Sequence, residues 1–251
     1  MKITFVLFIT LVTSLFSVEA SSALADTIEK VKPSIVGIGT YNRLNSPRAN
    51  LRGTGFVISE HLVATNAHVL PESLNQQQKE RLVIFVGQGR APEIRFASVV
   101  ANDQQHDLAI LRVEGQAMQP LTLSQQKVRE GELYAFTGFP IGAVLGLYPV
   151  THRGIISSIT PVVIPARNAN ELSLAQLKRL KSPYNIYQLD ATAYPGNSGS
   201  PVYHPQSGEV IALINKVFVK TTKEAVLSDP SAISYAIPII HLRELLATLK
   251  K

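Results

Sequence analysis

Residues 53–65 read Gly53-Thr54-Gly55-Phe56-Val57-Ile58-Ser59-Glu60-His61-Leu62-Val63-Ala64-Thr65, and the two short runs inside this stretch, Gly53–Ser59 and His61–Thr65, set the reading of the whole chain. Both are rich in β-branched or aromatic residues, the composition of strands. Outward on either side the pattern continues, with Ser34–Tyr41 before them and Arg81–Val86, Ile94–Val100 and Leu108–Val113 after, separated by Gly, Pro, Asn and Ser clusters. A second series follows at Glu132–Thr137, Thr151–Ile159, Tyr187–Ala191, Pro201–His204, Glu209–Lys220 and Ile233–Ile237. Two sets of about six short strands favour an all-β fold of paired antiparallel barrels over a parallel sheet, which would need a helix between most strands.

Helical signals are few. Asp26–Lys32 is a short capped turn that Pro33 ends, because the residue before proline avoids the helical region. Asn170–Lys181 is the one internal helix expected, with Asn170 as N-cap and Leu174 and Leu177 on one face, inside the long Thr160–Asn185 connection. Ile239–Leu249 carries Leu242, Leu245, Leu246 and Leu249 along a helical stripe. The expected organisation is a first barrel over about 34–114, a Pro- and Gln-containing linker over about 115–127, a second barrel over about 128–238 and a C-terminal helix at 239–249. No internal sequence repeat is visible.

The chain has 251 residues, 45% of them hydrophobic and 17% charged, an ordinary globular composition and not a disordered one. It contains no cysteine, which removes disulfides, thiolate nucleophiles and cysteine-ligated zinc. The net charge is +6, and it is unchanged by loss of Lys2 and Glu19. Lys178, Arg179 and Lys181 are the densest basic cluster and lack interleaved aromatics, so they read as a solvated face and nucleic acid is not an expected partner. At the N-terminus, Lys2, the apolar run Ile3–Val18 and the small residues around Ala23-Leu24-Ala25 make a cleavable secretory signal over residues 1–25, with Ala20 as the alternative cut. The run is shorter than the roughly 20 residues that span a bilayer. The expected product, 26–251, is exported to the periplasm or secreted, with no stable membrane insertion once the signal is removed.

Three local motifs carry chemistry: Ala64-Thr65-Asn66-Ala67-His68-Val69, His106-Asp107-Leu108-Ala109-Ile110-Leu111, and Gly196-Asn197-Ser198-Gly199-Ser200-Pro201. A serine hydroxyl attacks an amide only if a neighbouring base takes its proton as the bond forms. An imidazole suits that task, and a carboxylate on its other nitrogen fixes the tautomer. Glycines beside the nucleophile let the N–H groups of Gly196 and Ser198 converge on a developing oxyanion. Taken singly, His68 reads as a hydrogen-bonded structural histidine, Asp107 as a turn residue and Gly196–Pro201 as a glycine-rich turn. Together they fill all three catalytic roles, in the order His, Asp, Ser, on strand-end loops. His61, His106, His152, His204 and His241 stand singly, without metal-ligand spacing, so no metal is expected. Asp190, eight residues before Ser198, reads as a strand-end structural residue that could touch substrate.

On these motifs the sequence resembles the trypsin-like peptidase superfamily, and within it the bacterial HtrA/Deg and glutamyl-endopeptidase branches. The resemblance runs from Ile28–Val36 to Ala236-Ile237-Pro238 and includes Gly138-Phe139-Pro140 and Gly154-Ile155-Ile156-Ser157. It implies two six-stranded antiparallel Greek-key barrels with His68, Asp107 and Ser198 in the cleft between them. Hydrolysis of polypeptide substrates through an acyl-enzyme on Ser198 follows, with no metal and no organic cofactor. The same machinery handles esters, and a noncatalytic binding protein on this fold is the reading from another class. HtrA proteins usually carry a PDZ domain after the barrels, and none is expected here. Ser200-Pro201 is similar to the glutamyl-endopeptidase version. The expected pocket wall, Leu213, Ile214 and Asn215, nevertheless lacks the histidine that branch places there, and with Ala212 it suggests small or medium aliphatic side chains. The resemblance also puts Asn197 where trypsin pairs an aspartate with a newly cut N-terminal ammonium. A neutral amide would not offset the burial of that charge, so activity is expected without such a switch.

Overall fold

The structure, a computed structural model, describes residues 23–75, 77, 79–140, 146–162, 183–215 and 233–249. Six strands close the first barrel: β1 (Ile35–Tyr41), β2 (Ala49–Ser59), β3 (Leu62–Thr65), β4 (Arg81–Val86), β5 (Glu93–Asp103) and β6 (Leu108–Val113), in the order β1-β2-β3-β6-β5-β4. The second barrel closes β7 (Leu133–Gly138), β8 (Val150–Pro161), β9 (Asn185–Asp190), β10 (Pro201–Tyr203), β11 (Val210–Asn215) and β12 (Ile233–Pro238). Read from β7, its order is β7-β8-β9-β12-β11-β10, the same circuit as the first. Every ladder in both barrels is antiparallel.

Several segments extend further than their sequence suggests, β2 and the N-terminal helix among them. β2 starts at Ala49 instead of Gly53, because Ala49, Asn50 and Leu51 keep pairing with Tyr41, Thr40 and Gly39 beyond a register shift at Ile38/Gly39. Asn50 and Arg52 face solvent there, so this half of the strand has the composition of a loop. The turn read at Asp26 belongs to a longer helix, α1, whose described part is 23–31, and a 3-10 turn at Lys32–Ser34 takes up Pro33. Thr27 Oγ1 donates to Gln206 O at 3.1 Å, fixing α1 to the β10–β11 turn. The helix α2 (Ile239–Thr248) buries Ile239 and Leu242. The expected helix Asn170–Lys181 and the stretch 216–220 lie outside the described residues.

Three apolar clusters follow from the pleat, which sends successive side chains to opposite faces. In β6, Ala109, Leu111 and Val113 fill the first barrel with Val36, Ile38 and Ile84. Leu108 and Ile110 face out of it and join Phe139, Tyr203, Leu213 and Leu242 in a cluster that contains residues of both barrels and both helices. A third cluster, around Phe136, Leu189, Val202 and Ile214, fills the second barrel. Strands buried on both faces account for the unbroken apolar runs in the sequence.

Candidate active site

His68 sits in the 3-10 turn Ala67–Val69 that follows β3, and Asp107 immediately precedes β6. The ladder between these strands, with Thr65 opposite Ala109, brings the two loops side by side. Asp107 adopts a positive φ of 56°, an uncommon conformation for a residue with a side chain and one that Asp tolerates better than most. Three donors hold it there. Its carbonyl accepts from Asn66 Nδ2 and Ala67 N, both at 3.1 Å, and its Oδ1 accepts from His68 N at 2.8 Å. Oδ2 lies 2.6 Å from His68 Nδ1. That contact fixes the proton on Nδ1 and leaves Nε2 as the free base. Asp107 is buried while the His68 side chain is 32% exposed.

Asn215 supplies a fifth donor, from Nδ2 to Asp107 Oδ2 at 2.7 Å. Of the expected pocket wall, then, Asn215 turns to the carboxylate. Leu213 and Ile214 are 0% exposed and pack into the shared and second-barrel clusters. Their side chains meet core on both faces of β11, and a substrate-binding role for Leu213, Ile214 and Asn215, with the aliphatic preference drawn from them, is a proposal that a map of cut sites tests.

Ser198 lies on a turn that only glycines at two positions allow: Gly196 has φ 100° and Gly199 φ 87°. Asn197 N bonds Tyr194 O at 3.0 Å, and Ser200 N bonds Asn197 O at 2.9 Å. Gly199 N and Ile214 N then tie the turn to β11. The N–H groups of Gly196 and Ser198 donate to nothing among the described residues, the condition an oxyanion needs. Ser198 Oγ likewise makes no hydrogen bond among them, and nucleophile–base contacts often tighten only with substrate in place.

Thr54, on β2, joins the two halves, and no sequence motif assigned it a role. Its N donates to Ser198 O at 2.9 Å, its Oγ1 donates to Gly196 O at 2.7 Å and accepts from Phe139 N at 3.0 Å, and its O accepts from Thr65 Oγ1 at 2.7 Å. Beside it, a Cβ on Gly53 would fall 2.8 Å from Val69 and 3.1 Å from Ser198 O. The His68 turn and the Ser198 turn thus meet across a backbone with no side chain. A cavity of about 810 Å³ opens alongside, lined by Arg52, His68, Leu70, Leu74, Val99 and Gln104 among others. Asp190 is exposed at the end of β9, and no cluster of three metal-ligating side chains occurs among the described residues.

A family described as "Trypsin-like peptidase domain" matches residues 53–213. "Serine protease HTRA1B" of Danio rerio is 29% identical over 229 residues, which cover 89% of this chain and 40% of that protein. The chain therefore spans well under half the length of this relative. "Probable periplasmic serine endoprotease DegP-like" of Halomonas elongata is 29% identical over 74% of this chain and 32% of its own length. Among solved structures, the active form of the Rv3671c protease from M. tuberculosis superposes with a TM-score of 0.65 at 22% identity, covering 88% of this chain and 82% of that one, a likeness of fold.

Proposed function

Because the chain belongs to the trypsin-like peptidase domain family, we propose that it is a serine endopeptidase with His68, Asp107 and Ser198 as its triad and the N–H groups of Gly196 and Ser198 as its oxyanion hole. The observation that carries this reading is the pairing of His68 Nδ1 with Asp107 Oδ2 at 2.6 Å, next to a glycine-bounded serine turn whose Gly196 and Ser198 N–H groups are unpaired among the described residues. Ser198 Oγ attacks the scissile carbonyl while His68 Nε2 accepts its proton. The imidazolium formed is stabilised by Asp107, whose position Asn66, Ala67 and Asn215 hold. The carbonyl oxygen, now negative, moves onto the two N–H groups. Collapse expels the amine, which takes the proton from His68, and leaves an acyl group on Ser198. Water, activated by the same base, releases it.

The leader reading belongs to this proposal: residues 1–25 direct export and are removed, placing the enzyme in the periplasm or outside the cell. Likeness to a relative named as periplasmic supports it.

The test is incubation of the mature protein with a denatured protein mixture, followed by mapping of the cut sites, beside the Ser198→Ala variant. Wild type is expected to cleave and to react covalently with an organophosphorus reagent, and the variant to lose turnover by about 10⁴-fold or more with its fold intact. Wild type that neither cleaves nor is labelled would favour a binding protein.

A further inference from the structure

Away from His68, the first barrel carries a second cavity, of about 610 Å³. Four cations line it: Arg43 and Arg48 from the β1–β2 connection, Lys79 ahead of β4, and Arg81 at the start of β4. No acidic residue shares the lining. Elsewhere on the surface, arginines find carboxylates at close range, as Arg95 does with Glu93 at 2.8 Å and Arg129 with Glu132 at 2.6 Å. Here Arg43, Arg48 and Lys79 make no ion pair among the described residues. Arg81 stands 3.6 Å from Glu114, both side chains exposed, and its guanidinium lies over the Phe96 ring at 3.4 Å. Like charges gathered around one concavity repel one another, and an anion placed among them relieves that repulsion.

The apolar lining narrows the choice of anion. Tyr41, Leu44 and Phe96 complete the cavity with Gln77, and Leu44 is 79% exposed. A simple phosphate would use the cations alone and leave these surfaces in water. A single-stranded nucleic acid needs aromatic faces for successive bases, and with Arg81 over the Phe96 ring the lining offers one, Tyr41. Carboxylates interspersed with apolar side chains match both parts of the lining. The cavity is also near the one that His68 lines: Arg81 and Leu82 are neighbours on β4, and Phe96 and Val99 are three apart on β5, each pair having one residue in either cavity. At about 3.3 Å per residue, three residues of strand separate the linings by roughly 10 Å.

We propose that this cavity docks an acidic, apolar-bearing segment of the polypeptide substrate, outside the cleft where the chain is cut. Naming the ligand a substrate rests on the endopeptidase reading; the docking itself does not need Ser198. The test is fluorescence anisotropy of a fluorescein-labelled peptide alternating Glu and Leu, titrated with mature protein carrying Ser198→Ala. Binding is expected to weaken with salt and to fall by about tenfold or more when Arg43→Glu and Arg48→Glu are combined, while Arg43→Lys with Arg48→Lys keeps most of it. Melting temperature confirms that the charge-reversed protein is folded. Equal binding by the charge-reversed protein overturns the proposal. So does tighter, Arg43- and Arg48-dependent binding of an oligothymidylate, of tripolyphosphate or of phosphatidylglycerol vesicles. With Ser198 restored, the reversal is expected to raise KM for a protein bearing the acidic segment and to leave a short chromogenic peptide unaffected. If no substrate is cleaved at all, the endopeptidase reading fails while the anisotropy result still decides the docking.

Discussion

Thr54 gathers four hydrogen bonds on one small residue, and two of them, to Gly196 O and from Phe139 N, pass through its hydroxyl. Thr54→Val keeps the shape of the side chain and strands both buried partners, at about 1–3 kcal/mol for an unmet group. Because Gly196 carries an oxyanion donor in the proposed mechanism, kcat is expected to fall by roughly 10- to 100-fold with KM little changed. Thr54→Ser should restore most of it, and loss of KM alone would place Thr54 outside the chemistry. Nothing in the sequence marks this residue: its partners lie 142 and 85 positions away, brought close only when the barrels dock. His152 is a second residue whose state only the fold reveals. It stacks on Phe136 at 4.8 Å, its Nε2 is buried without a partner among the described residues, and burial pushes its pKa below the ordinary imidazole value. The unfolded chain therefore takes up a proton before the folded one does, so the stability is fully present above about pH 6.5 and is lost as pH falls below it. His241 adds in the same direction, lowered by burial and then by the charge of His106, on which it stacks at 4.0 Å. The melting temperature is expected to drop between about pH 7 and pH 5, and less steeply in His152→Phe. Parallel curves for the two proteins would assign the acid sensitivity elsewhere.

At the scale of elements, strands were readable wherever glycine, proline or polar clusters end them: β4 and β6 keep the bounds that their composition gives. The polar half of β2 was not, since its pairing depends on β1. The circuit shared by the two barrels repeats pairing partners and no residues, so only the family resemblance implied it. Of the site, the His68–Asp107 pair was legible from its motifs, whereas the turn of Asn215 toward Asp107 depends on how β11 docks against the first barrel. α1 links this scale to export. Thr27 and Val31 pack against the β10–β11 turn, where a Cβ on Gly208 would touch both at 3.4 Å, and Leu24 packs on the shared cluster. Sequencing of the exported form is expected to give Asp26 first. A cut there keeps Thr27 and Val31 docked and gives up Leu24, so a form starting at Ser21 should be more stable by about 1 kcal/mol. Both forms are expected to show comparable kcat/KM, because Asn197, buried with its side-chain amide unpartnered among the described residues, offers a terminal ammonium no carboxylate. Collapse of activity in the longer form would show that a free N-terminus at Asp26 is required.

In the whole molecule, one apolar cluster carries residues of both barrels and both helices, so neither barrel can lose its packing without exposing the other. Calorimetry is expected to show a single unfolding transition, and Leu213→Ala, which empties a fully buried position in that cluster, should lower it by about 2–5 kcal/mol without splitting it. Two resolved transitions, only one of them shifted, would mean that the barrels unfold separately. The division of the site between the barrels has a further consequence, which concerns time. His68 and Asp107 belong to the half that leaves the ribosome first, while Ser198 and Asn215 wait on a barrel that β12 must close by pairing with both β9 and β11. Until residues 233–238 have arrived, the nucleophile turn has no finished wall behind it, and a chain in transit is unarmed. On the proposed triad, synthesis itself acts as a safety interval, in which the cell holds only an inert thread.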